Sequence, residues 1–203
     1  MNPPFHNRRT MSSTPIVIVP GRRNSGPGHW QSLWADQLPH ARRVEQDDWV
    51  TPRRDAWVAQ LARTVTAAAH DPDAGGPVVV VAHSLGCIAT AHLPPEVMRH
   101  IGGALLVAPA DPERRGVLAD FAPVPYQPLP FRSMVVASSN DPYCPVRLAG
   151  AYARAWGSEF VRLNNAGHIN VASGHGPWPL GLGLLQSLLA PLPAPPVAEA
   201  SHA

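Results

Sequence analysis

Ser84 stands where a run of valines ends, and its surroundings suit a nucleophile. The stretch Val78–Ala82 predicts a buried strand, and the stretch Leu85–His92 predicts a helix. A serine in the tight turn between the two is lifted above the edge of a sheet, where a base can reach its hydroxyl. Such a turn strains the backbone, so the residues two before and two after it must be small. Ala82 and Gly86 meet that requirement.

His168 is the candidate base for this serine. It follows the predicted strand Glu159–Leu163, so we expect it at the same edge of the sheet as Ser84. A neutral imidazole there takes the serine proton and later returns it to the leaving group. His175 is the nearest rival, but it lies beyond a Ser-Gly turn. We expect His83 to point away, because neighbouring side chains on a sharp turn diverge.

Two aspartates compete for the role of the acid that orients the imidazole. Asp111 and Asp141 each follow a predicted strand and precede a proline. The acid must reach the imidazole nitrogen that faces away from the serine, where it fixes the tautomer and stabilises the imidazolium. Asp141 is favoured because it follows the last strand before the one that carries His168. Asp111 stays the alternative, and either Asp-Pro pair can instead form a simple turn.

Two backbone amides are candidates for stabilising a developing oxyanion. The amide of Leu85 lies at the start of the predicted helix, where N–H groups lack helical partners. The second candidate is the amide of Arg22, in the Pro-Gly-Arg-Arg loop after the first strand, because that strand should neighbour the strand of Ser84. In the alternative interpretation, Gly21 merely permits a tight turn.

The segment 108–134 has room for one short helix, around 114–120, and therefore predicts no lid. We expect an open, shallow cleft over the serine, edged by Trp30, Tyr143 and Trp178. These aromatic residues can instead pack the core, and for Trp178 that is an equal alternative. Without a long acyl channel, soluble esters with about two to four acyl carbons are the expected substrates.

Short β-branched runs alternate with helical stretches along the chain, which indicates a parallel α/β sheet. The predicted strands are Ile16–Val19, Arg42–Glu45, Val78–Ala82, Ala104–Ala108, Met134–Ser138 and Glu159–Leu163. The predicted helices are His29–Leu38, Pro52–Ala69, Leu85–His92, Val146–Trp156 and Trp178–Leu189. Pro52 suits a first helical turn, with Thr51 as its cap. Loops at the carboxyl ends of such strands meet at one edge, which brings the three candidate residues together.

The length of 203 residues, 45% of them hydrophobic and 15% charged, suits one α/β domain, which we place at 15–190. The polar segment 1–14, in which Met11 is an alternative start, and the Pro/Ala-rich segment 191–203 are expected to be disordered. The apolar run Ile16–Val19 is too short for a signal peptide or a membrane span. Cys87 and Cys144 follow strands that are not neighbours, so we expect no disulfide and a cytoplasmic protein.

The composition argues against several other classes of function. All 16 basic residues are arginine, so the lysine of a phosphate-binding loop, a pyridoxal site or a Ser-Lys dyad is missing. Gly26-Pro27-Gly28 does not fit a dinucleotide fingerprint, so no cofactor is implied. The net charge is only +2 and the arginine pairs are scattered, which gives nucleic-acid binding little support. A metal site is the weakest option, since no zinc-ligand spacing occurs.

Four separated motifs resemble one family of small hydrolases. They are NSGPGHWQSLW (24–34), AHSLGC (82–87), SSNDPY (138–143) and GHIN with SGHGPWP (167–179). Together they resemble the serine hydrolases typified by retinoblastoma-binding protein 9 and its bacterial YdeN-like relatives, and the match runs from Ile16 to about Leu189. The retinoblastoma contact of the animal protein does not carry over. That contact is attributed to a Leu-x-Cys-x-Glu motif, and the residue two after Cys87 is Ala89.

The resemblance implies a compact α/β-hydrolase variant that lacks the first two strands of the larger fold and has no lid. Its six mainly parallel strands would follow the order 2-1-3-4-5-6, with helices on both faces, and Ser84, Asp141 and His168 would form the catalytic triad. The leading hypothesis is a serine esterase or amidase that works through an acyl-enzyme. Acyl transfer to an acceptor other than water is also open on this fold. The alternative is a binding protein with an idle triad.

Overall fold

A six-stranded parallel sheet forms the centre of the protein in a computed structural model that describes residues 13–190. The segments 1–12 and 191–203, which carry most of the predicted disorder and the alternative start, lie outside the described residues. The strands are β1 (Ile16–Val19), β2 (Ala41–Arg43), β3 (Val78–His83), β4 (Ile101–Val107), β5 (Arg132–Ser138) and β6 (Glu159–Leu163). Their order is β2-β1-β3-β4-β5-β6 and every neighbouring pair is parallel. The predicted strand order is therefore confirmed.

Helices connect the strands and cover both faces of the sheet. They are α1 (Trp30–Gln37), α2 (Arg54–Ala69), α3 (Leu85–Ala91), α4 (Pro95–Met98), α5 (Val146–Trp156) and α6 (Pro179–Leu189). Two short 3-10 helices cover Gly116–Phe121 and Val171–Ser173. The first of these is the short helix expected around 114–120, and no multi-helix lid interrupts this connection within the described chain.

Two apolar clusters, one on each face of the sheet, form the core. Side chains alternate between the faces of a strand, so Val17 of β1 joins the cluster under α2, α3 and α5, while Ile16 and Ile18 join the cluster under α1 and α6. Both faces are covered, and this explains why the strands read as unbroken apolar runs rather than as alternating ones. Each valine or isoleucine fully buried in this way contributes about 1.5–3 kcal/mol.

Strand β4 begins three residues earlier than the sequence pattern predicts, because a pair of glycines hides its start. A Cβ added at Gly102 would lie 2.5 Å from Pro77 Cγ, so this position has no room for a side chain. Glycine is depleted in strands and often marks such a close approach. Strand β2 is also shifted, covering Ala41–Arg43 rather than Arg42–Glu45.

The predicted cap of the second helix is wrong. Helix α2 begins at Arg54, not at Pro52, and its amide donates to Asp120 Oδ2 at 2.7 Å. Thr51 lies in the preceding bend, where its own amide and that of Val50 both donate to Asp48 Oδ1. The Asp48 side chain forms a competing turn, a usual role of aspartate, and this turn delays the helix start.

Cys87 and Cys144 are both buried and neither forms a disulfide. Within residues 13–190, no helix is long and apolar enough to cross a membrane.

Candidate active site

Ser84 occupies a strained turn between β3 and α3. Its backbone has φ 53° and ψ −118°, a region that non-glycine residues rarely adopt. The turn is crowded on both sides: a Cβ added at Gly86 would lie 2.4 Å from the Val19 carbonyl oxygen, and one at Gly21 would lie 2.7 Å from Ser84 Cβ. Only glycine fits at these two positions. The loop after β1 is consequently packed directly against the serine.

His168 and Asp141 form a close pair beside this turn. Nδ1 of His168 lies 2.8 Å from Oδ2 and 3.0 Å from Oδ1 of Asp141, and both side chains are almost fully buried. An ionised carboxylate only accepts hydrogen bonds, so Nδ1 carries the donated proton and Nε2 keeps its lone pair. The arrangement leaves Nε2 of His168 able to accept a proton.

Asp111, the alternative acid, lies elsewhere. Its Oδ1 accepts from the amide of Arg114 at 3.3 Å, and its Oδ2 lies 3.6 Å from Arg114 Nε. Asp111 therefore stabilises a turn in its own loop, the role that an Asp-Pro pair commonly has.

Side chains at the end of β5 and in the loop after it hold the loop after β6 in place. Each accepts a hydrogen bond from a backbone amide across the gap: Ser139 Oγ from Asn165 at 2.9 Å, Ser138 Oγ from Ala166 at 2.9 Å and Asn140 Oδ1 from Gly167 at 2.8 Å. The two loops carry Asp141 and His168. This ladder of hydrogen bonds fixes the distance between the carboxylate and the imidazole, and it accounts for the Ser-Ser-Asn sequence before Asp141.

His83 does not point away from the site, and the expectation for this residue was wrong. Its Nε2 lies 2.9 Å from the backbone oxygen of His168, and because a carbonyl only accepts, this nitrogen is the donor. His83 follows Val79 and Val81 on the same face of β3, which directs it toward the His168 loop. Burial, aided by the charges of His168 and His29, lowers the pKa of His83 well below its usual value. His83 thus stays neutral.

A cavity of about 370 Å³ brings these residues together at the carboxyl ends of the strands. Ser84, His83 and His168 line it, together with the loop 21–24 after β1. Within residues 13–190 the Ser84 hydroxyl makes no hydrogen bond, so it is available to a ligand in the cavity.

Of the three aromatic residues predicted to edge the cleft, one lines the cavity and two do not. Tyr143 lines the cavity, and its ring lies 4.5 Å from the His168 ring in an edge-to-face contact. Trp30 and Trp178 do not line it, because both are buried in the core with ring centroids 5.1 Å apart. Trp30 still holds the loop that carries His168, because its Nε1 donates to the Ile169 oxygen at 2.9 Å. The cavity-edge prediction was wrong for Trp30, whereas for Trp178 the alternative of core packing is the one observed.

The two candidate oxyanion donors both lie close to the serine. Leu85 follows Ser84 directly, and Arg22 follows the glycine that packs against it. Among the described residues, neither amide donates to a backbone or side-chain acceptor. The Arg22 loop is fixed through the amide of Arg23, which donates to the Trp49 oxygen at 2.8 Å.

His29 also lines the cavity, and the sequence interpretation assigned it no role. Its Nδ1 accepts from the amide of Gln31 at 3.2 Å and so caps α1, while its buried Nε2 has no partner among the described residues. Burial, with smaller effects of Arg43 and His168, lowers the pKa of His29 to about 4. The signal in the sequence was a polar residue directly before an apolar helix start.

Arg115 is a second residue that was not anticipated. It lines the cavity with its guanidinium carbon 4.1 Å from the centroid of the Tyr143 ring. In the part of the chain that the structure describes, no group of three or more His, Cys, Asp or Glu side chains is placed to hold a metal ion.

The chain is similar to proteins of one family. A family described as serine hydrolase matches residues 16–187. A protein described as a YdeN-like hydrolase from Pectobacterium atrosepticum is 34% identical, with 89% of this chain and 93% of the other covered and a TM-score of 0.78. No curated protein sequence matches the chain significantly.

Two more distant structures share the fold. The ydeN gene product of B. subtilis is 21% identical with a TM-score of 0.67, over 87% of this chain and 98% of the other. Esterase 2 of Thermogutta terrifontis is 15% identical with a TM-score of 0.66, over 89% and 84%. With the family match spanning most of its length, the chain belongs to the serine hydrolases, as a small YdeN-like member of the α/β-hydrolase superfamily.

Proposed function

We propose that this protein hydrolyses small carboxylic esters, and by the same chemistry amides, through an acyl-enzyme formed on Ser84. One observation carries the proposal: His168, with Nδ1 bound to Asp141, lines the same cavity as the strained Ser84. This is the set of roles that a nucleophile, a base and an orienting acid require. The esterase that shares this fold supports the ester as the substrate class.

The first half of the proposed reaction forms the acyl-enzyme. Nε2 of His168 takes the proton of Ser84 Oγ as this oxygen attacks the carbonyl carbon of the ester. The carbonyl oxygen becomes an oxyanion, which the amides of Leu85 and Arg22 stabilise by donating hydrogen bonds. The tetrahedral intermediate then collapses, the bond to the alcohol oxygen breaks, and His168 protonates the departing alkoxide.

The second half releases the acid and restores the enzyme. Water attacks the acyl carbon while His168 takes one of its protons, and the same proton returns to Ser84 Oγ when the ester bond to the serine breaks. Asp141 stays ionised throughout and stabilises the imidazolium that forms twice in each cycle. These residues supply nucleophile, base and oxyanion donors, so the reaction as proposed uses no cofactor.

Small substrates fit the dimensions of the site. The cavity of about 370 Å³ lies near the lower end of the range of roughly 300–1,000 Å³ for small-molecule pockets. Only the short 3-10 helix Gly116–Phe121 stands where larger esterases carry a lid. We therefore propose that kcat/KM peaks at about two to four acyl carbons and does not jump at an oil–water interface.

The decisive experiment is labelling with a fluorophosphonate followed by mass spectrometry of the peptides. We expect the adduct on Ser84 and its loss in Ser84→Ala, which should stay folded because it removes a single hydroxyl from a partly exposed site. Ser187→Ala is the matched control, since Ser187 is exposed on α6 and bonds only to the Gly183 oxygen of its own helix, and it should keep the label. An adduct elsewhere, or none, would favour the alternative of a binding protein with an idle triad.

A further inference from the structure

The cavity over Ser84 has a strongly one-sided charge. Three arginines line it, Arg22, Arg23 and Arg115, and no aspartate or glutamate is among the residues that form its wall in the described part of the chain. Asp141, the nearest member of the proposed triad, lies behind His168 and does not line the cavity. Three side chains that stay positively charged therefore belong to residues of its wall, without an acidic residue among them.

These three guanidinium groups lack a carboxylate partner, which five of the eleven other arginines in residues 13–190 have. In residues 13–190, none of them lies within 4.0 Å of a carboxylate, whereas five arginines outside the cavity do: Arg42, Arg43, Arg53, Arg54 and Arg114. The contrast is sharpest between neighbours. Arg114 points to Asp111 outside the cavity, while Arg115 enters the cavity unpaired.

Asp48 is the acid that interacts with Arg22, and it does not neutralise the cavity. Its carboxylate accepts from the amides of Val50 and Thr51 and is not part of the cavity wall. Nε of Arg22 is itself engaged, donating to the Val50 oxygen at 2.7 Å. That bond engages one of the five guanidinium N–H groups, and the other four have no hydrogen-bond partner among the described residues.

Arg115 is close to the proposed chemistry. Its guanidinium stacks on Tyr143, and the Tyr143 ring contacts the ring of His168. The stack places a positive charge beside the proposed base, while Arg22 belongs to the loop that packs against Ser84.

The loop that carries Arg22 and Arg23 is held rigidly. Arg43 donates to the Ser25 oxygen at 2.6 Å and also to the Asn24 side chain, and Arg23 and Asn24 both have positive φ angles of 67° and 66°. A loop fixed in this way loses little further entropy when a ligand binds.

We propose that the natural substrate is an ester or amide that carries a carboxylate close to the scissile bond, held by the guanidinium groups of Arg22, Arg23 and Arg115. The inference rests on the proposed function. Arginine suits a carboxylate because its planar N–H groups match the two oxygens. A neutral ester still reaches Ser84, but it leaves the three charges without a partner.

Matched substrates test the proposal on both sides of the ester. On the acyl side, the p-nitrophenyl monoester of adipic acid is compared with that of adipamic acid, which replaces the carboxylate by a carboxamide. On the alcohol side, 3-carboxyphenyl butyrate is compared with 3-carbamoylphenyl butyrate. We expect kcat/KM to favour the charged member of at least one pair by about tenfold, equivalent to about 1.4 kcal/mol, and the favoured pair identifies the side that bears the charge.

Arginine variants locate the source of the preference. Arg115→Gln and Arg23→Gln should each reduce the ratio within the favoured pair by several-fold and leave kcat/KM for the neutral member within about twofold. Arg63→Gln is the control, because Arg63 is exposed on α2, far from the cavity wall, and removes the same charge from the molecule. The preference should also fall between 0.05 and 0.5 M salt, since exposed charges are screened over about 10 Å at 0.1 M.

The outcomes separate this inference from the proposed function. Equal rates within both pairs, or a preference that Arg115→Gln and Arg63→Gln change alike, would overturn the inference and leave a serine hydrolase. Absence of both Ser84 labelling and ester hydrolysis would overturn the proposed function and the inference with it.

Discussion

The loops that follow β4 and β5 each carry an Asp-Pro pair, but the two aspartates contact different partners. Each places an Asp-Pro pair a few residues after a buried parallel strand, Asp111-Pro112 in one and Asp141-Pro142 in the other. Asp111 bonds within its own loop, whereas Asp141 contacts His168. The difference arises from the neighbours: β5 pairs with β6, and the loop after β6 is tied to that of Asp141 by three side-chain hydrogen bonds. The strand beside each aspartate therefore decides which partner the carboxylate contacts.

The largest effect on kcat is expected when the charge of each aspartate is removed in turn. Asp141→Asn should lower kcat by about 10⁴-fold, because an amide mis-sets the tautomer of His168 and cannot stabilise the imidazolium. Asp111→Asn should cost less than about threefold, since it alters only a local turn. Kinetics with p-nitrophenyl butyrate measure both, and the reverse ranking would contradict the assignment of the acid.

The next test breaks the hydrogen bonds between the two loops without touching the triad. Asn140→Ala removes the acceptor for the amide of Gly167, and a misplacement of His168 by about 1 Å should lower kcat by about 10²-fold. KM should change less, because the cavity wall is intact. Ser139→Ala is the milder partner, since its bond reaches Asn165, three residues from His168. Equal, negligible losses in both would mean that the ladder does not position the base.

A third test compares two histidines that bond to carbonyls on opposite sides of the molecule. His83 Nε2 bonds to the His168 oxygen, while His92 Nε2 bonds to the Phe121 oxygen, on the side of Asp111. His83→Phe should lower kcat by about tenfold through loss of one positioning hydrogen bond, and His92→Phe should leave kcat within about twofold. Urea unfolding of both variants separates lost positioning from lost stability.

The smallest expected effect is on the pH dependence of the free energy of unfolding. The folded pKa of His29, about 4, is below its unfolded value of 6.5, so the unfolded state binds more protons between these two values. The free energy of unfolding should consequently fall as the pH drops through this window, by about 1 kcal/mol between pH 7 and pH 5.5 for His29 alone. The lowered pKa of buried His83 acts in the same direction.

Urea unfolding of variants at pH 7 and pH 5.5 checks this assignment. His29→Asn keeps a side chain that caps α1 but removes the titration, so it should flatten the pH dependence. His92→Asn is the control on the Asp111 side, and it should remove less of the slope because His92 is less buried. An unchanged slope in His29→Asn would contradict the assignment.

The sequence predicts the frame of this protein well because parallel strands are covered on both faces. Four consecutive valines leave little alternative to a buried strand, and the rule that loops meet at the carboxyl ends then brings the three triad candidates to one edge. The start of β4 at its glycine pair and the start of α2 after the Asp48 turn were not predicted correctly. In both, one local contact overrides the pattern.

The wall of the cavity was harder to predict than the meeting of Ser84, Asp141 and His168 at one edge of the sheet. Side-chain type does not reveal whether a tryptophan edges a cavity or fills the core beneath it, and Trp30 and Trp178 do the latter. The orientation of His83 was accessible, since alternation along β3 continues the face of Val79 and Val81. Arg115 was not, because its place depends on a connection between β4 and β5 that has no periodic pattern.

The burial of the two cysteines makes the chain a convenient background for reporter chemistry. Burial raises the pKa of the Cys87 thiol well above its usual value and that of Cys144 to about 12, so both stay protonated and unreactive toward alkylating dyes. No other cysteine occurs in the sequence. A single cysteine introduced at Val117, which is 40% exposed at the cavity wall, would take an environment-sensitive fluorophore without removal of either native cysteine. Ligand entry could then be followed by fluorescence in a variant that cannot turn over.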